Sequence, residues 1–119
     1  MHVVNLADKF SRFQDHWSPK VVGDVNEFQV KLVKLQGEFV WHHHEVEDEL
    51  FLVVKGELQM QFRDRTENVR EGEFIIVPHG TEHRPCAEQE CHILLLEPKT
   101  TLNTGTDVNE RTVAELGRV

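Results

Sequence analysis

Long hydrophobic runs are missing from these 119 residues: the longest unbroken apolar stretch is Leu50 to Val54. That is far short of the ~20 apolar residues that cross a bilayer as a helix. The first residues, M-H-V-V-N-L-A-D-K-F, show no charged region followed by a long apolar core, so no signal peptide is expected and a cytoplasmic location is the default. Positive charge is also scarce. Thirteen Lys and Arg against 21 Asp and Glu leave a formal net charge of −8, and no basic cluster interrupts the balance. Neither nucleic acid nor an anionic membrane surface is therefore an expected partner. Serine occurs only as Ser11 and Ser18, neither in a G-x-S-x-G setting, which argues against a serine hydrolase. The glycines are dispersed at turns, and no phosphate-cradling loop is present. Two cysteines, Cys86 and Cys91, flank a turn-like A-E-Q-E. Their spacing suits neither C-x-x-C nor a zinc site, and free thiols are the expectation in a reducing compartment.

What is present is a series of short alternating strands. The length suits one domain burying about 65% of the surface of its unfolded chain. Leu6, Phe10 and Phe13 share a helical face, so a helical segment is expected over about 3–17, with Asn5 or Asp8 as cap. Pro19 ends it. Strands are expected at Val21–Val22, Phe28–Leu35, Phe39–His44, Glu49–Val54, Glu57–Phe62, Thr66–Val69, Phe74–Val77, Glu82–Arg84 and Cys91–Leu96, with turns at Gln36–Gly37 and Lys55–Gly56. Such a run predicts a sandwich or barrel. The tail over 99–119, rich in Thr, Asn and Gly, is expected to wrap the surface or pair with a partner.

The segment from Gly37 to Gly56 organises the rest. His42 and His44 are two apart, so on an extended chain both imidazoles leave one face while His43 leaves the other. Glu49 starts the next apolar strand. Two imidazoles and a carboxylate placed this way can converge on a divalent metal, and His83, after a Pro-containing bend, offers a fourth ligand. Among the acids of the loop, Glu49 is preferred, with Glu47 the next candidate; Glu45, Glu47 and Asp48 otherwise read as a solvated loop.

Gly37, His42-x-His44, Glu49 and Gly56, followed by Gly72, Pro78-x-Gly80 and His83, resemble the two spaced motifs of the cupin family over roughly residues 25–98. The chain is one residue short between Gly37 and His42, and Ala87 stands where that family has Asn. The resemblance implies an all-β fold, an antiparallel jelly-roll barrel with a short N-terminal helix. It also implies a metal held by His42, His44, Glu49 and His83. Three neutral imidazoles and one carboxylate suit Fe, Mn, Ni or Zn as a dication, and the absence of thiolate ligands disfavours structural zinc. The family includes oxygenases, isomerases, lyases and non-catalytic binders. A metal-dependent enzyme acting on a small organic ligand is the leading reading, a binding or sensing module the second, and a purely structural metal the third.

The remaining histidines read as packed or solvent-facing: His79 in the bend, His92 beside Leu94 and Leu96, with Cys86 and His92 left open as pocket residues. Phe39, Trp41, Phe51 and Phe74 read as core or pocket, and Lys31, Gln59 and Gln61 as outward and solvated. A homodimer is expected, because Leu50–Val54 is apolar on both faces and needs cover on each.

Overall fold

Turn residues every few positions keep the strands short, and in the computed structural model, which describes residues 1–119, those strands close on themselves. One helix, α1 (Leu6–Phe10), precedes β1 (Lys20–Val25), β2 (Phe28–Glu38), β3 (Glu49–Lys55), β4 (Glu57–Phe62), β5 (Thr66–Arg70), β6 (Phe74–Val77), β7 (His83–Pro98) and β8 (Gly117–Arg118). Hydrogen-bonded neighbours run β5-β4-β7-β2-β1-β8, with β3 joined to β7 and β6 joined to β3. Every pairing is antiparallel except the short contact of β1 with β8. The result is the antiparallel jelly-roll barrel expected from the sequence. No helix is long and apolar enough to cross a membrane.

Alternation decides the inside. Val33 and Leu35 of β2, Val53 of β3, Met60 of β4 and Ile93 of β7 are buried in one cluster. Val53 and Ile93 face each other across the β3–β7 pair and are fully buried. Each such side chain contributes about 1.5–3 kcal/mol by leaving water. On the outer face a smaller cluster, Phe10, Phe13 and Leu32, covers Val54 and Leu94.

Several elements depart from expectation. The helix spans Leu6–Phe10 rather than 3–17, with Asn5 as its cap, its side chain accepting from the Asp8 N–H at 2.9 Å. Phe13 lies beyond it, and its carbonyl accepts instead from the buried Lys34 ammonium at 2.7 Å. Gln36–Gly37 is no turn. β2 runs through to Glu38 by a bulge between Leu35 and Gly37, which Gly37 permits with φ +85°. β7 is likewise one strand where two were expected. Its first residues pair with β4 and its later ones with β2 and β3. In the pairing with β2, Cys86 stands opposite Glu38 and Cys91 opposite Leu35, three residues apart on β2 and so roughly 10 Å from each other, beyond disulfide reach; both are free. Phe74 is neither core nor pocket but 59% exposed on the edge strand β6. Lys31 is not outward: it is 1% exposed and points inside with Val33 and Leu35.

Candidate metal centre

The four side chains expected to meet do meet, from separate elements. Glu49 opens β3, His83 opens β7, and His42 and His44 sit in the irregular segment between β2 and β3. A strand was expected over Phe39–His44, but only one bridge forms. His42 N–H donates to His83 O at 3.0 Å, and His83 N–H donates back at 2.9 Å. The other backbone groups here are claimed by scattered partners: Phe39 N–H by Pro85 O, His44 O by Gly80 N–H, His43 O by Thr106 N–H. No single ladder remains for this segment to join.

Donor atoms of His42, His44, Glu49 and His83 all lie within 4.8 Å of one another, and all four residues are buried. Two tautomers follow from the surrounding carbonyls. His42 Nδ1 lies 2.9 Å from Val40 O and His83 Nδ1 lies 2.8 Å from Thr81 O. A carbonyl only accepts, so each Nδ1 carries the proton and each Nε2 presents a lone pair to the interior. His44 Nε2 and His83 Nε2 both approach Glu49 Oε1, at 2.8 and 3.3 Å. Neither approach is aligned as a hydrogen bond, and both ring nitrogens of His44, Glu49 Oε1 and His83 Nε2 are buried without a partner. A lone pair of His83 facing a carboxylate oxygen repels it unless a cation lies between. The donor set fits a divalent metal.

Charge states agree. Burial, then the nearby His83, pushes the His42 pKa down from 6.5 to about 4, overriding the Val40 carbonyl and Glu49. Burial opposes ionisation of Glu49, but His44, His83 and Glu97 together outweigh it and hold the carboxyl well below its usual range.

The neighbouring acids are engaged elsewhere. Glu47 accepts from Thr100 Oγ1 at 2.9 Å, Asp48 pairs with exposed His79, and Glu45 pairs with His43, which points away from the cluster. Trp41 lies under Arg63, whose guanidinium sits 3.8 Å from the ring centroid. Beside the cluster is a cavity of about 40 Å³ lined by Phe39, Phe51, Trp17, Leu95, His42 and Glu49, with Glu97 and Asn103 completing its polar wall. Neither Cys86 nor His92 lines it; His92 stacks on Phe10 at 4.6 Å outside the barrel.

Sequence reasoning missed two features. Glu97, at the end of the apolar I-L-L-L run, turns inside and accepts from Lys31 Nζ at 2.9 Å. Burial and the nearby Glu49 raise its pKa well above the usual value, with Lys31 opposing. Lys31, set between Val30 and Leu32 of β2, was the available signal. The second is the tail. Thr101 and Thr104 are buried, and Gly105, at φ +63°, lies so close that a Cβ there would fall 2.0 Å from the His43 carbonyl oxygen. The tail packs against His42 and His43 rather than lying apart from the site.

The family model described as Cupin domain matches residues 30–97. The solved structure of a cupin-2 domain containing protein from Shewanella frigidimarina NCIMB 400 is 49% identical with a TM-score of 0.81, covering 82% of this chain and 95% of that one. That of NMB1881 from Neisseria meningitidis is 32% identical with a TM-score of 0.76, covering 82% and 100%. The protein YdbB of Bacillus subtilis (strain 168) is 41% identical over 64 residues, 53% of this chain and 57% of that protein. This chain thus spans somewhat over half the length of that curated relative.

Proposed function

Because the chain belongs to the cupin family, we propose that His42, His44, Glu49 and His83 bind one divalent metal ion and that the protein is a metal-dependent enzyme acting on a small organic molecule. The oxygenase, isomerase and lyase classes are the fitting ones. The observation that carries the metal is the convergence of buried lone pairs without partners. An N/O donor set of this kind suits Fe, Mn, Ni or Zn, and the bound dication supplies a Lewis-acid or oxygen-activating centre. The protein's own groups hold the donors in place: the Val40 and Thr81 carbonyls fix two imidazoles in the ligating tautomer. Phe39 and Phe51 supply apolar wall beside the cluster, and Gly105 of the tail packs against the His43 carbonyl.

A second reading, a metal-containing binding module without turnover, is favoured by the smallness of the cavity and the closeness of Gly105 to the His43 carbonyl. One experiment separates them. Protein purified without added metal is analysed for metal content, then screened with small molecules for thermal shift and for oxygen uptake or substrate depletion. Stoichiometric metal with turnover supports the enzyme, metal with ligand shifts alone supports the binder, and no metal overturns both.

The proposal includes a homodimer. Leu50 and Leu52 are only half-buried on the outer face of β3, beside Ile76 and Phe74 of β6, which are 53% and 59% exposed. The residues of α1 cover only the neighbouring part of this face, around Leu32 and Leu94. A second copy of the chain is the occupant that fits, since a two-fold pairing would lay the same apolar strip of each copy against the other. Light scattering at micromolar concentration checks it: a mass near the 13.9 kDa of one chain would show a monomer.

A further inference from the structure

The inner faces of three neighbouring strands carry charged groups in a row. β7 pairs with β2 on one side and with β3 on the other. Lys31 of β2 stands opposite Leu95, two residues from Glu97 on the same face, and its Nζ donates to Glu97 Oε1 at 2.9 Å. On the other side Leu50 stands opposite Leu96, so one further step of the same register sets Glu49 opposite Glu97. The Cβ atoms of such a cross-strand pair lie about 4.5–5.5 Å apart, and the Glu97 and Glu49 side chains hydrogen-bond each other. Glu49 in turn faces His44 and His83. The row thus runs from Lys31 through Glu97 to Glu49 and the metal-centre rings, and all of its members are buried.

Stability does not account for this row. A buried ion pair is often no more stabilising than well-packed apolar side chains of the same volume. What the row supplies is position. Glu49 approaches both rings through Oε1, and neither contact is aligned as a hydrogen bond, so the rings alone do not fix the plane of its carboxylate. Glu97 can fix it, because Lys31 holds Glu97 by its other oxygen and burial leaves neither side chain room to turn toward solvent. We infer that Glu97, anchored by Lys31, is a positioning residue that aims the Glu49 carboxylate at the metal. The inference rests on the metal proposal above. Partners that hydrogen-bond a ligating group in this way are worth about 10–100-fold in metal affinity.

The test titrates cobalt(II) into the whole protein, stripped of metal, against a competing chelator, and records the visible absorption of the bound ion, which follows its ligand geometry. Glu97→Leu alone leaves a buried ammonium without its counter-charge and risks unfolding, so the variant used is Lys31→Met/Glu97→Leu, with Glu97→Gln beside it. Denaturant unfolding checks that each is folded. The double variant should bind cobalt about 10–100-fold more weakly than wild type and with a shifted spectrum. In Glu97→Gln the amide still accepts from Lys31 and donates to Glu49, so affinity and spectrum should stay close to wild type. A folded double variant that matches wild type in both readouts overturns the inference and leaves the metal proposal standing. Glu97→Gln as weak as the double variant overturns it too, since a hydrogen bond in the same place would then not restore the site. Wild type that takes up no cobalt overturns the metal proposal, and this inference with it.

Discussion

Two groups of histidine and glutamate, one on the surface and one inside the barrel, use the same side chains to opposite ends. On the surface Glu90 meets His16 through one oxygen at 2.7 Å and His92 through the other at 3.1 Å. Those contacts, His16 first and then His92, hold its carboxyl down to about 2. Each oxygen has its own partner. Inside, one oxygen of Glu49 faces two rings, none of the contacts is aligned, and the buried nitrogens of His44 and His83 are left over. Residue type does not distinguish the two groups. What does is whether the lone pairs are already spent, and burial is what keeps water from spending them.

The largest expected effect would break the comparison outright. His42→Ala/His44→Ala should abolish stoichiometric metal as measured by elemental analysis, while His16→Ala/His92→Ala should leave it unchanged. Full occupancy in the first variant, or loss in the second, would mean that the distinction drawn from lone pairs is wrong.

Next in size is the buried pair beside the centre. Lys31→Met leaves the Glu97 carboxyl without its counter-charge and should cost about 3–5 kcal/mol in denaturant unfolding, whereas Lys31→Met/Glu97→Leu should come out near wild type. A single variant as stable as the double would show that the pair is not coupled.

Acid should separate the two groups as well. With a folded pKa of about 4 against 6.5, His42 binds its proton less readily in the folded protein than in the unfolded chain. Between those values the unfolded state holds more protons, so metal-free protein should lose stability as pH falls through that window, by up to about 3 kcal/mol. Glu49, held below its usual 4.5, adds to the loss only below that value. Unfolding at pH 7, 5.5 and 4.5 reads the slope; a flat profile would contradict the burial of His42.

The smallest effect belongs to the surface. Glu90→Gln should change stability by less than about 1 kcal/mol despite the low pKa of Glu90, because its side chain is 42% exposed and water screens the pair. A loss of several kcal/mol would mean that the outer group is structural and the comparison too simple.

The candidate centre was legible because its signal is local. His42, His44 and Glu49 lie within one short segment, and fixed spacings to Gly56 and from Gly72 through Pro78 to His83 place them in register. Strand alternation likewise separates Leu58 and Met60 from Gln59 and Gln61 without any structure. The face of Lys31 could not be read this way. In F-Q-V-K-L-V-K-L both faces carry apolar residues, so alternation does not say which one is buried. The register with β7, where Lys31 stands opposite Leu95 and Gln29 opposite Glu97, decides it.

By itself the sequence determined what short-range periodicity can carry: strands rather than helices, the turn at Gly56, and the candidate donors His42, His44, Glu49 and His83. Tertiary structure alone decided what depends on contacts between distant residues. Lys34 takes the Phe13 carbonyl beyond the helix, three strands share β7 and keep Cys86 from Cys91, and Lys31 meets Glu97 across the interior. The tail reaches His42 and His43 because Gly105 has no Cβ to hold it off. In each case a polar group or a close approach is satisfied by a partner far along the chain, and pairwise spacing in the sequence carries no record of which partner that is.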